Sequence, residues 1–152
     1  MRQHLQLMTL GVADLEASRA FYSGGLGWTP VLDLAEIVFY QVGHGLLLAL
    51  FPLAELGADA GQPATPGTPM SLAQIVASPD AVAEAVDRAR AAGAAVLKEP
   101  QWASFGGYHA YLADPDGHRW EIAYNPGWSV SDDGTVTIRP ITPDDTAAYH
   151  NR

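Results

Sequence analysis

Apolar and polar positions fall into two similar runs along the chain. Leu5 to Val12 (LQLMTLGV) is short, apolar and slightly alternating, which predicts a largely buried strand. Asp14 is a good N-cap for a helix over Leu15 to Ser23, with Leu15, Ser18 and Tyr22 near one face. Gly24, Gly25 and Gly27 stop that helix. Trp28 to Leu34, Glu36 to Val42 and Leu46 to Phe51 read as strands, the last two joined by a Gly43-His44-Gly45 turn. Residues 57–69 hold Gly, Pro, Ala and small polar residues with almost nothing to bury, and read as a linker.

The order then restarts. Met70 to Ala77 reads as a strand, and Ser78 caps a helix that has Pro79 at its first position. Val82, Ala85, Val86 and Ala89 make its apolar stripe, and Gly93 supplies the stop. Ala94 to Lys98 is a strand, residues 99–107 a loop, and Tyr108 to Ala113 a strand. Asp114-Pro115-Asp116-Gly117 is a strong turn signal before a returning strand, His118 to Tyr124. Ser131 to Thr135 predicts a small terminal hairpin, and residues 140–152 read as a frayed end. Asp14 and Asp80, like Gly27 and Gly93, lie 66 residues apart, so both halves read strand, helix, three strands. The organisation expected is a first module over 1–56, a linker over 57–69, a second module over 70–126, and a hairpin and tail over 127–152. Each module would bury one sheet face under its helix and leave the other open, and paired open faces would enclose a cavity.

Composition removes several function classes. At 152 residues, 48% hydrophobic and 16% charged, the chain fits one compact unit or two small fused halves. It has no Cys, so disulfides, thiolate ligands and cysteine nucleophiles are excluded together. A net charge of −9 with scattered basic residues makes nucleic acid and anionic membranes poor partners. The longest strongly apolar run, Leu46 to Phe51, is far below the roughly 20 residues that span a bilayer. Gln3, His4 and Gln6 interrupt the apolar stretch a signal peptide needs, so a soluble cytoplasmic protein is expected. Gly24-Gly25-Leu26-Gly27 follows a helix, whereas a dinucleotide loop precedes one. The serines lie in turns and caps without a paired His, which leaves a nucleophilic triad unsupported.

Two stretches carry a family resemblance. Thr9 to Tyr22 (TLGVADLEASRAFY) with Leu26-Gly27-Trp28 resembles the opening of the vicinal oxygen chelate superfamily, and Ala113 to Ile122 (ADPDGHRWEI) resembles its closing hairpin. That superfamily includes glyoxalase, fosfomycin-resistance thiol transferases, extradiol dioxygenases and bleomycin-binding resistance proteins. The resemblance covers roughly residues 5–126. It implies an α+β fold of two βαβββ modules in tandem, their mixed sheets curled around a central pocket, in a homodimer. Enzymatic members place metal ligands at four strand corners, which fall here on Leu7, near Ala49, Leu72 and Glu121. Leu and Ala cannot coordinate a cation, and an open catalytic zinc site wants three protein ligands. A slip of one residue offers Gln6 and Ala73, and Gln74 or His109 are other conceivable donors. The expectation is no metal and no other cofactor, with a divalent metal as the alternative.

Alternation names the pocket wall that this resemblance implies. If Glu121 points inward, Arg119 and Ala123 follow it, while Trp120 and Ile122 face the helix. Leu7 brings Leu5 and Thr9, and Leu72 brings Gln74 and Val76. His109 and Tyr111 face inward by resemblance, and Phe39 and Gln41 are the first module's candidates. Glu121 beside Arg119 reads as an ion pair, His118 as a surface residue, and Asp114 and Asp116 as turn-formers. A mostly apolar wall with a few convergent polar groups suits a small-molecule site. The function expected is reversible binding of a small organic ligand, similar to drug sequestration. The alternative is a lyase or isomerase, or a metal-dependent enzyme, with Glu121 as base and Tyr111 or His109 assisting.

Overall fold

Strand alternation sorts the side chains of each half onto two faces, and a helix covers one of them. A computed structural model describes residues 6–61, 63, 65, 71–104 and 106–150. The first half builds β1 (Leu7–Val12), β2 (Pro30–Asp33), β3 (Val38–Gly43) and β4 (Leu46–Pro52), in the order β1-β4-β3-β2. The second builds β5 (Ser71–Ile75), β6 (Ala95–Trp102), β7 (Tyr108–Ala113) and β8 (Arg119–Tyr124), in the matching order β5-β8-β7-β6. β1 runs parallel to β4 and β5 to β8, and the other pairs are antiparallel. This is the α+β tandem of βαβββ modules that the repeat predicts. Its two four-stranded sheets remain separate and are not closed into one.

The helices begin where their caps were read. Asp14 accepts from the N–H groups of Glu16 and Ala17 to start α1 (Leu15–Arg19), which widens into a π-helical stretch over Ala20–Gly25. Ser78 accepts from Ala81 N–H at the start of α3 (Pro79–Ala91). The paired stops Gly27 and Gly93 both take positive φ, 75° and 105°, which only glycine adopts without strain.

One core holds both halves. Val12, Val38, Leu48 and Leu50 of the first sheet pack with Phe21 and Tyr22, and Leu112 and Ile122 of the second pack with Val82 and Val86, within a single buried cluster. The Tyr22 ring lies 5.2 Å from Trp28, 6.0 Å from Tyr40 and 6.2 Å from Trp120. The helix-bearing faces of the two sheets therefore share the interior. Their other faces turn away from it.

A polar clasp locks this arrangement. The Tyr22 hydroxyl donates to Asp114 (2.7 Å) and accepts from the Trp120 indole N–H (3.0 Å). Asp116 accepts from Ala13 N–H and from the Ser18 hydroxyl, both at 2.6 Å. His118 Nε2 donates to the Gly11 carbonyl at 3.0 Å. His118 is 6% exposed, so the expected surface residue is instead part of the module contact. Burial first, then the Asp114 charge, pushes the Tyr22 phenol far up and keeps it a neutral donor.

Three segments differ from the sequence reading. Leu53–Asp59 form α2, whose Leu53 and Leu56 lie over Gly11, where a Cβ would stand 2.6 Å from Leu53 Cδ1. The remaining linker is only partly within the described residues, and His4, Leu5 and Met70 lie outside them. β6 continues through Trp102 despite Pro100, because β6 is an edge strand and its pairing with β7 shifts on either side of Lys98. Beyond the expected hairpin, β9 (Trp128–Val130) and β10 (Val136–Ile138), residues Pro143–His150 form α4 and are not frayed. Thr142 donates to Asp145 from its backbone N–H and its hydroxyl, and the Arg139 guanidinium holds the Asp145 carboxyl well below its usual range. Among the described residues no helix is long and apolar enough to cross a membrane.

Tyr22→Phe leaves the buried Asp114 carboxylate and the Trp120 indole short of a partner. It should lower the unfolding free energy by about 1–3 kcal/mol, measured as a shift in the urea midpoint at constant slope. An unchanged midpoint would mean that the clasp does not hold the modules together.

Candidate functional site

The second sheet carries a run of polar groups on its outer face. Tyr111 stands opposite Glu121 on β8 and Lys98 on β6, and Ala73 of β5 is opposite Glu121. Partners across a ladder share a face, so Lys98, Tyr111 and Glu121 converge, with His109 two positions along β7. His109 Nδ1 is 2.9 Å from Glu121 Oε1, and Lys98 Nζ is 2.9 Å from His109 Nε2. The Tyr111 side chain neighbours Glu121 across the ladder, and its ring meets His109 edge-on at 5.6 Å. Burial first, then the Glu121 charge, raises the Tyr111 phenol above its ordinary value. His109 is 7% exposed, while the Glu121 side chain keeps 22% of its surface open.

The structure thus joins Glu121, His109 and Tyr111, as expected. Arg119 shares their face opposite Ser71, but the carboxylate's ion-pair partner is His109 and not Arg119. Leu72 and Gln74 pair with Trp120 and Ile122, so they stand on the helix-bearing face, opposite to Glu121. Leu72 is buried in the shared core and Gln74 lies by Ala85 and Ala89 of α3. The correction is one residue of register: on β5 the outer positions are Ser71 and Ala73. Leu7, Thr9, Phe39 and Gln41 do share the outer face of the first sheet, through Leu47 and Ala49 on β4. The two groups belong to different sheets, and Gln41 of the first shares a cleft between the modules with Ser71, Leu72, Ala73 and Gln74 of β5. Lys98 was missed, because the shift in pairing before Pro100 re-aims it and leaves no period to follow.

The donor set does not fit the metal of the enzymatic members. Leu7, Ala49 and Leu72 offer no donor atom, and the outer face of β5 supplies only the Ser71 hydroxyl. Both His109 nitrogens already have partners, and among the described residues no three His, Asp or Glu groups come together. What the arrangement does offer is an anchored acceptor. Glu121 takes a hydrogen bond from His109, stands opposite Tyr111 and retains lone pairs toward solvent. A cleft of about 620 Å³ lies between the modules against Met8, Trp28, Leu48, Leu72 and Trp120; none of Lys98, His109, Tyr111 or Glu121 lines it.

Tandem βαβββ modules clasped by the Asp114–Gly117 turn, with an open polar sheet face, define a glyoxalase-like class. The family model of the Glyoxalase/Bleomycin resistance protein/Dioxygenase superfamily matches residues 3–122, and the chain belongs to that superfamily. A glyoxalase-related enzyme from Fulvimarina pelagi is 43% identical, over 90% of this chain and 99% of that one, with a TM-score of 0.84. A hypothetical protein from S. aureus is 27% identical over 82% and 95%, with a TM-score of 0.70. A lactoylglutathione lyase from Agrobacterium tumefaciens is 25% identical over 82% and 95%, with a TM-score of 0.62. No curated protein matches the chain.

His109→Ala removes the group that Lys98 and Glu121 share and should cost about 1–3 kcal/mol of stability. Glu121→Gln keeps an acceptor for His109 and should cost less. Denaturant unfolding of both variants checks the order, and a greater loss in Glu121→Gln would contradict this geometry.

Proposed function

We propose that the protein reversibly binds a small, partly apolar organic molecule bearing a hydrogen-bond donor, without a metal, in a cup built by two copies of the chain. The observation that carries this reading is Glu121: a carboxylate held by His109 beside Tyr111 on an outer sheet face, still partly open. A pre-held acceptor beside aromatic carbon is the kind of convergent polar group that orients a ligand. The net charge of −9 favours neutral or cationic ligands over anions.

The second copy follows from the outward faces. The polar face belongs to the second sheet, and the apolar face with Leu7, Thr9 and Phe39 belongs to the first. Among the described residues β1 and β5 each pair along one edge only, and Leu7 on β1 is 44% exposed. A homodimer sets the apolar face of one copy against the polar face of the other. Sequestration of a drug-like compound fits the superfamily's bleomycin-resistance members. The hydrogen-bonded chain that ends on Glu121, with the likeness to a lactoylglutathione lyase, supports a second reading as a lyase or isomerase.

Sedimentation at micromolar concentration should show a homodimer; monomer alone would remove the two-copy cup. Protein purified without chelator should carry no stoichiometric divalent ion, and an ion ligated by Glu121 would overturn the reading. Once a screen of tryptophan emission has found a ligand, Glu121→Gln should weaken it by about 1.5–3 kcal/mol, the worth of a charge-assisted hydrogen bond. If that variant instead binds normally and loses a turnover, the enzyme reading replaces sequestration.

A further inference from the structure

We propose that Lys98 is a positioning residue for Glu121, acting through His109. The proposal rests on the ligand-binding reading of this site and adds to it a rule for which ligands fit. Lys98 and His109 meet at 2.9 Å between Nζ and Nε2, on a side chain that is 7% exposed. An ammonium group has donors and no acceptor, so Nε2 must be the acceptor of that bond. In the neutral ring the proton then sits on Nδ1, which is 2.9 Å from Glu121 Oε1. Every bond in the chain points one way: Lys98 donates to His109, and His109 donates to Glu121.

This direction has a chemical consequence. A lone imidazole can exchange its proton between nitrogens, and a reversed ring would present a lone pair to the carboxylate, which two acceptors do not tolerate. Lys98 blocks that reversal from the far side of the ring. Tyr111 stands opposite Glu121 across the ladder and flanks the carboxylate with its ring side. The carboxylate is thus held as an acceptor by groups that come from β6, β7 and β8. The ligand group that meets it must bring its own donor: an ammonium, an amidinium, an amide N–H or a phenol. Carboxylates and phosphates are rejected. The same ammonium occupies the nitrogen that a divalent ion would need, a physical reason for the poor metal fit described above.

Ring nitrogens of the ligand-free, 15N-labelled full chain report the tautomer directly. Long-range proton–nitrogen correlation at neutral pH, with His109 assigned by loss of its signals in His109→Gln, should show a protonated Nδ1 and an unprotonated Nε2. Lys98→Met leaves Nε2 free to exchange or take up a proton, so its signal should move away from the unprotonated position toward the averaged range, and Lys98→Arg, which keeps a donor, should preserve it. A wild-type ring protonated on Nε2 would overturn the proposal, and so would Lys98→Met spectra identical to wild type. If Lys98→Met fails to fold, the wild-type and Lys98→Arg spectra still decide. No ligand is used, so failure here is separate from failure of the Glu121→Gln binding test.

Discussion

The hydrogen bond from Tyr22 to Asp114 is the constraint from which the rest of the architecture follows. Asp114 opens the turn between β7 and β8, while Tyr22 sits in the helix of the other half, 92 residues away in the chain. Joining them forces the helix-bearing face of the first sheet against that of the second. Asp116 reinforces the join by capping Ala13 N–H and the Ser18 hydroxyl, and His118 adds the Gly11 carbonyl. Buried polar groups of this kind stabilise little in net terms, but any packing that leaves them unpaired is costly. They therefore select one arrangement of two sheets that apolar burial alone would allow to slide. The outward direction of both remaining faces is a consequence of this selection.

Elements with their own local chemistry were legible in the sequence, and those set by tertiary context were not. Asp14, Ser78 and Pro79 marked helix starts, and the Asp-Pro-Asp-Gly turn placed the β7–β8 hairpin, because caps and turns are decided within a few residues. α2 escaped notice because it is only seven residues long and is held by its packing on β1 and β4, with Leu53 and Leu56 over Gly11. The β6 extension was hidden by Pro100, tolerated only because that strand lies at a sheet edge. α4 did carry a readable signal. Thr142-Pro143-Asp144-Asp145 is a capping box with Pro at the first helical position, and it outweighs the polar composition around it.

At the site, the residues of β7 and β8 were placed correctly and those of β5 were off by one. The difference is physical. β7 and β8 flank a tight turn whose geometry fixes which residues face each other, so Tyr111 and Glu121 fall opposite one another. β5 pairs in parallel with β8 across a long connection, and no local feature sets its register. Leu72 stands on the helix-bearing face with Trp120, buried in the shared core at the edge of the cleft between the modules. Lys98 lay beyond reach for a related reason. The shifted pairing around it breaks the alternation of two that every outer-face assignment used.

Separating the shared core from the outer faces lets one architecture host different chemistry. Substitutions at Leu7, Ala49, Ser71 or Glu121 alter what the faces present, while the Tyr22–Asp114 clasp and the packing around Trp28 and Trp120 stay intact. A metal enzyme and a metal-free binder can then differ at a handful of outer positions without refolding, which is why membership of the superfamily does not by itself settle the activity. In this chain the two outer faces differ in character. The first sheet shows Leu7, Leu47 and Phe39, and the second shows Lys98, His109, Tyr111 and Glu121. A molecule held between such faces is oriented by polarity before any specific contact forms: its apolar end is driven to one wall and its donor to the other.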